Sequence, residues 1–268
     1  MASAGEAFKA GDLAAAIAAQ QAVVKAAPRD SGARWFLAEL LLFAGEAERA
    51  DRMLDAAVLE EPSPAVLEFR KLLRAEVIRQ QVWGEGRAPK FSGEDATPAQ
   101  TTAVRAAVLA RAGEMEPAEE AALAAEDSRP ATPGTAELAD GTTIAFEDFR
   151  DADDLMAPMV EVLTTGGDHI LVPLERIESL EFEAPRRPRD LAWRRTTITL
   201  REGTEGVVYM PAIYPGAAAQ PDALRLGRAT EWTEGPGPVR GHGQRLFLVG
   251  EEAVALADLA TLRFAAPG

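Results

Sequence analysis

The 268-residue chain has no cysteine, two histidines and four lysines, and each shortage removes a class of function. Without thiols there is no disulfide, thiolate nucleophile, iron–sulfur cluster or thiolate zinc site, which agrees with a reducing compartment. His169 and His242 stand 73 residues apart, with no H-x-x-x-H or H-x-H spacing, so they do not read as a shared metal site. No lysine follows a G-x-x-x-x-G pattern and no serine sits in G-x-S-x-G, which removes the phosphate-binding loop and the nucleophile elbow. Basic charge is scarce too: at a net charge of −15, the surface repels nucleic acid and anionic lipid heads. No uninterrupted apolar run reaches membrane-spanning length, and the N-terminal alanine run is broken by acids and a lysine, unlike a signal peptide.

What is present is a 47% hydrophobic composition, enough for two ordinary cores and too much for a disordered chain. Alanine, leucine and glutamate dominate the first half, whereas most of the valine, isoleucine, threonine and tyrosine lies in the second. The shift falls at residues 128–141, a stretch rich in proline, glycine, serine and threonine. The predicted class is therefore α+β, with a helical domain over residues 1–134 and a mainly β domain with one short helix over residues 135–268.

The helical half carries a countable repeat. Gly11 and Gly45 are 34 residues apart, as are Pro28 and Pro62, and Gly113 and Pro130 repeat the 17-residue internal spacing two periods beyond Gly45. Ala16 matches Ala50, while Leu37, Ala38, Leu54 and Ala57 fall where a tetratricopeptide repeat packs its two helices. Glycine turns the chain between antiparallel helices, small alanines let them approach, and proline ends the second helix. An irregular helical bundle is the competing reading. Residues 65–83 predict one long amphipathic helix, followed by a polar loop over 84–97.

In the second half, Asp153 is a candidate cap for a short helix through Leu163. Residues 196–200 and 206–210 flank a predicted hairpin turn. Residues 172–182 and 254–264 share the pattern V-x-L-x-x-[IL]-x-[ST]-L-x-F at an offset of 82, so both are expected to adopt one conformation, a tight turn followed by a half-buried strand. With further strands at residues 225–232 and 244–249, the expectation is a small twisted barrel-like domain.

No catalytic constellation emerges. Acid pairs such as Asp153/Asp154 or Glu119/Glu120 leave a hydrolase or transferase as the alternative, though adjacent carboxylates at helix starts are usually solvated. Residues 185–195 (PRRPRDLAWRR) stand out, with five arginines beside a tryptophan on an acidic protein. Arg186, Arg187, Arg189 and Trp193 are candidates for docking an acidic partner surface, the side chains projecting outward from a proline-held extended backbone. The opposing reading puts Trp193 in the core and pairs the arginines with the domain's own acids. Tyr214, in a proline-bounded turn, either lines a binding groove or covers the sheet domain.

Residues 147–154, 172–177, 185–194 and 206–216, with 73–76 and 83–89 in the helical half, resemble the ImpE family, also called TagJ, in order and spacing along nearly the whole chain. That resemblance implies a helical-repeat domain joined to a β domain, no catalysis and no cofactor. It also implies a cytoplasmic adaptor that binds the N-terminal helix of the type VI secretion sheath subunit TssB, with the ATPase ClpV reached indirectly and neither nucleic acid nor membrane as a partner.

Overall fold

The computed structural model describes residues 2–60 and 63–266. Seven helices come first: α1 Ala4–Ala10, α2 Leu13–Ala26, α3 Ser31–Phe43, α4 Ala47–Glu60, α5 Pro64–Gln80, α6 Pro98–Ala112 and α7 Met115–Ser128. Several starts have a local cause. Asp12 and Asp30 accept the backbone N–H three residues on, and Ser3/Glu6 and Thr97/Gln100 form reciprocal capping boxes. Gly11, Gly45 and Gly113 turn the chain between α1 and α2, α3 and α4, and α6 and α7, each with φ between +76° and +88°. Only glycine adopts that conformation without steric cost, and at Gly45 a Cβ would also lie 2.4 Å from the Ala218 Cβ. Ala16, Ala50, Leu37, Ala38 and Leu54 are all buried, as the repeat requires. Pro62 and the Ala57 side chain lie outside the described residues. Helix α5 continues into a π-helical turn, Gln81–Glu85.

The remaining chain is mostly strand. β1 (Lys90–Phe91) leaves the helical half, and the others are β2 Gly134–Leu138, β3 Thr143–Phe146, β4 Phe149–Asp151, β5 Met159–Thr164, β6 His169–Pro173, β7 Ile177–Phe182, β8 Trp193–Leu200 and β9 Glu205–Pro211. After the short helix α8 (Asp222–Arg225) come β10 Thr230–Trp232, β11 Gly241–Gly243, β12 Leu246–Val249, β13 Glu252–Ala255 and β14 Leu259–Phe264. Nine strands make one sheet in the order β1-β6-β5-β9-β8-β7-β14-β2-β3, beside a three-stranded sheet β13-β12-β4 and the ribbon β10-β11. The main sheet is open, with β1 and β3 at its edges, so the barrel-like closure is corrected. The chain passes from β3 into β4, which pairs with β12 in the second sheet instead of closing the first.

Two further expectations change. Asp153 does not cap a helix: its Oδ1 accepts from Leu155 N at 2.9 Å and its Oδ2 from Gly241 N at 3.0 Å, which holds a turn that runs into β5. The short helix of this half is instead α8, so residues 225–229 are not strand. The helical and sheet halves share a core cluster. Leu163, Ala192, Trp193, Tyr209, Ile213 and Leu226 belong to the same core cluster as α1 to α5.

The internal match holds throughout. Residues 172–182 run from β6 through a 3₁₀ turn, Leu174–Arg176, into β7, and residues 254–264 run from β13 through Leu256–Asp258 into β14. β7 and β14 pair antiparallel, with Leu180 opposite Leu262, Glu181 opposite Thr261 and Ser179 opposite Arg263. At the 82-residue offset Leu180 and Leu262 are equivalent and meet, while the flanking pairs exchange places, so a pseudo-twofold axis passes between Leu180 and Leu262. Both leucines are fully buried in the sheet core. Leu180→Ala and Leu262→Ala should each cost roughly 2–5 kcal/mol, by similar amounts, and the double variant less than their sum because they are in contact. Urea unfolding of the three variants checks this; a surface-like loss of a few tenths at either position would remove the symmetric core.

Candidate functional site

The arginine segment divides between surface and interior. Residues Pro188–Leu191 form a 3₁₀ turn that rolls Arg189 inward, while Trp193 opens β8. Arg189, Trp193 and Tyr214 are only 1%, 2% and 1% exposed: Arg189 does not project outward, Trp193 lies in the core as the opposing reading had it, and Tyr214 lines a cleft. The physical reason is aromatic. The Arg189 guanidinium lies 4.8 Å from the Trp35 ring centroid and 4.4 Å from that of Phe69, and 3.8 Å from Glu39, so α3 and α5 clamp it. Trp193 packs edge-on against Phe69 and donates its indole N–H to Glu76 Oε2 at 3.1 Å. The Tyr214 hydroxyl donates to Asp151 Oδ1 at 2.9 Å and accepts from Leu246 N at 3.2 Å.

Arg186 stays exposed and Arg187 largely so, beside a shallow recess of about 440 Å³ also lined by Glu183, Asp190 and Arg195. Asp190 accepts the backbone N–H groups of Arg186 and Arg187 and the Nε–H of Arg187 at 3.0–3.2 Å, while Arg195 pairs with Glu183. Three of the segment's five arginines, Arg186, Arg187 and Arg195, therefore remain at least partly exposed, and the last two pair with acids of their own domain.

Behind this surface lies a network that the motifs did not reveal. Arg79 on α5 donates through Nε to both oxygens of Glu161 on β5 at 2.7 and 2.9 Å, through Nη1 to Glu76 at 3.1 Å and through Nη2 to the Ile213 carbonyl at 2.8 Å. Arg245 reaches Asp151 at 2.8 Å and Glu161 at 3.2 Å. Burial alone would raise the Glu161 carboxyl, but Arg79 and Arg245 outweigh it and hold it at about 2. Burial pushes Glu76 and Asp153 up, and carries Asp151 to about 6 despite Arg245. His169 is buried on β6, and burial takes its imidazole down to about 4. The signal for this network was Glu161 inside the apolar run 159–163, and Glu76 and Arg79 three apart on α5 beside Phe69, Leu72 and Leu73.

Asp151 and Asp153 bring two carboxylates together, but their oxygens accept from Arg245, Tyr214 and the backbone N–H groups of Asp153, Leu155 and Gly241. Among the described residues, no group of three or more histidines, aspartates or glutamates is arranged to hold a metal. A cleft of about 420 Å³ opens between the end of α5, the α3–α4 turn, the segment 213–216 and β11; Trp83, Tyr214, Arg225, Arg240 and His242 are among its walls.

Helical hairpins packed through a buried ion network onto an open, internally duplicated sheet define a helical-repeat protein with a fused β half. Residues 7–73 match the tetratricopeptide repeat family, and residues 143–263 match the family described as ImpE protein. The chain is 34% identical to the type VI secretion system accessory component TagJ of Pseudomonas aeruginosa, over 97% of this chain and 90% of that one. It superposes on the crystal structure of protein VPA1032 from Vibrio parahaemolyticus with a TM-score of 0.89 at 27% identity, covering 98% of each. The chain belongs to the ImpE/TagJ family.

Two outcomes follow from these buried charges. Arg79→Met leaves Glu76 and Glu161 short of a counter-charge and should cost roughly 3–5 kcal/mol by urea unfolding; a loss below about 1 kcal/mol would mean that Arg245 alone suffices. Glu39, buried beside Arg189 and Trp35, is raised from 4.5 to about 7 by burial, which those partners only partly offset. The folded chain thus holds this proton more tightly than the unfolded one. Its contribution to stability is complete below about pH 4.5 and lost as pH rises through about 7. The thermal midpoint of Glu39→Gln should therefore fall less than that of the parent between about pH 5 and 8; parallel curves would assign the titration elsewhere.

Proposed function

We propose that this chain is a non-catalytic, cytoplasmic accessory component of a type VI secretion system that binds the N-terminal helix of the sheath subunit TssB and through it comes near the ATPase ClpV. The observation that carries the reading is the similarity to TagJ over 97% of the chain, which spans the helical repeats and the sheet half alike. An adaptor role fits an interior whose carboxylates are engaged in structural pairs. The Asp151/Asp153 pair gives little support to a hydrolase or transferase, because its oxygens already accept hydrogen bonds. In the described residues no helix is long and apolar enough to cross a membrane.

For the contact itself, the recess bearing Arg186 and Arg187 is the surface that retains the positive charge foreseen for it, with Arg189 buried in the 3₁₀ turn beside it and Trp193 buried at the start of β8. Guanidinium groups there would form charge-assisted forks with acidic residues of a partner helix. The double variant Arg186→Glu/Arg187→Glu should weaken capture of a TssB N-terminal peptide more than about tenfold in calorimetry, with an almost unchanged melting temperature. Unaltered affinity would move the contact to the helical repeats. Absence of binding by the parent protein would reject TssB as the partner.

A further inference from the structure

Eight large hydrophobic side chains stay exposed among the described residues, and four of them fall on two elements that touch. Met115 and Leu123 are on α7, while Trp232 and Val239 belong to the ribbon β10-β11 and its connecting loop. Two ties lay that loop along α7. Gly237 N donates to Glu119 Oε2 at 3.3 Å, where a Cβ on Gly237 would lie 3.2 Å from the Met115 Sδ. Further on, Val239 N donates to Asp154 at 2.7 Å, and Arg150 joins Asp154 at 2.6 Å to Glu126 of α7 at 3.3 Å. Glu119, Leu123 and Glu126 are spaced i, i+4, i+7 and share one helix face, so Leu123 lies between the two ties. Single exposed apolar residues are ordinary on a protein surface, but Leu123 is the most exposed of the eight at 60% and has Met115 and Val239 beside the same loop.

The charge around this group is one-sided. Residues 114–128 contain six acids and residues 230–239 two more, with no lysine or arginine in either segment. Among the described residues, Glu126 alone of these eight acids is held in ion pairs, with Arg129 and Arg150. Glu116, Glu120 and Asp127 are exposed on the outer side of α7, next to the Leu123 face. An acidic border repels phosphate backbones and anionic lipid heads, and a bare cation would leave the apolar centre unused. The surface fits a partner that carries positive charge beside an apolar stripe. Met115 and Leu123 are eight positions apart, about 12 Å along the axis or two turns, a length over which a second helix can lie along α7.

We propose that the edge of α7 bordered by the ribbon loop is a docking surface for a basic amphipathic helix of another protein. Met115, Leu123 and Val239 meet its apolar stripe, and Glu116, Glu120 and Asp127 meet its lysines and arginines. The recess at Arg186 and Arg187 attracts acids instead, so the two surfaces do not compete for one segment, and this inference stands whether or not TssB is the partner there.

The test uses the full chain and a synthetic helix of about 18 residues built from lysine, leucine and alanine, with the leucines in one stripe. Two controls keep its length: one is scrambled so that the stripe is lost at the same charge, and one has glutamate for every lysine. Calorimetry is expected to give saturable binding of the striped basic peptide, with both controls weaker by about tenfold or more. The double variant Leu123→Asp/Val239→Asp is expected to lose about tenfold in affinity with a nearly unchanged melting temperature, although it makes the protein more acidic. A purely ionic attraction to a chain of net charge −15 would instead strengthen in that variant. No binding of the striped peptide, equal binding of its scrambled control, or undiminished binding by the variant would overturn the proposal. The peptide comparison uses the parent protein, so it stands even if the variant fails to fold.

Discussion

Glu161 is held between two arginines, one from a helix and one from the loop entering β12, and the joint between the two halves depends on that arrangement. A charge taken out of water is tolerated only while its partners keep hydrogen-bond geometry. If α5 slid or rotated on the sheet, Glu161, Glu76 or Arg79 would be left unpaired in the interior. The apolar contacts of the shared core favour contact between the layers without fixing their register; the ion network fixes it. Trp193 bonded to Glu76, and Arg189 seated on Trp35 and Phe69, extend the same constraint to α3.

This joint also decides which surfaces the repeats have left to offer. Stacked helical repeats ordinarily present a concave face to ligands. Here α3 and α5 already pack against Leu163, Trp193, Tyr209 and Ile213 of the same chain. The sheet half occupies part of the helical surface as a permanent internal partner.

Much of the fold was legible because its signals are local. Gly11, Gly45 and Gly113 mark turns by a property of single residues, and the 82-residue match copies a whole strand–turn–strand unit, so periodicity found both. What escaped depends on distant neighbours. The arginine run read as a surface because composition does not say that Pro188 begins a turn placing Arg189 against two aromatic rings from other helices. Trp193 stood out as an apolar anchor beside the arginines and Tyr214 as a groove residue, but their polar tips are answered by Glu76 and Asp151, more than 60 positions away. Asp153 has the side chain of a helix cap, but Gly241, 88 positions on, and the valine-rich segment after it favour turn and strand. Closure into a barrel failed for the same reason, since nothing near β3 announces that β4 will pair with β12.

The duplicated unit leaves a mark on how the molecule comes into being. β2 pairs along its length with β14, Gly134 opposite Phe264, and the pseudo-twofold axis runs through the β7–β14 pair. As the polypeptide leaves the ribosome, the helical hairpins have their partners close behind, but β2 and β7 must wait until β14 has been translated. Until then β7 and β2 are two unpaired edges, the kind of surface that chaperones hold and that sticks to its neighbours. Synthesis halted before β14 would release a chain with formed helices and a sheet split between β7 and β2.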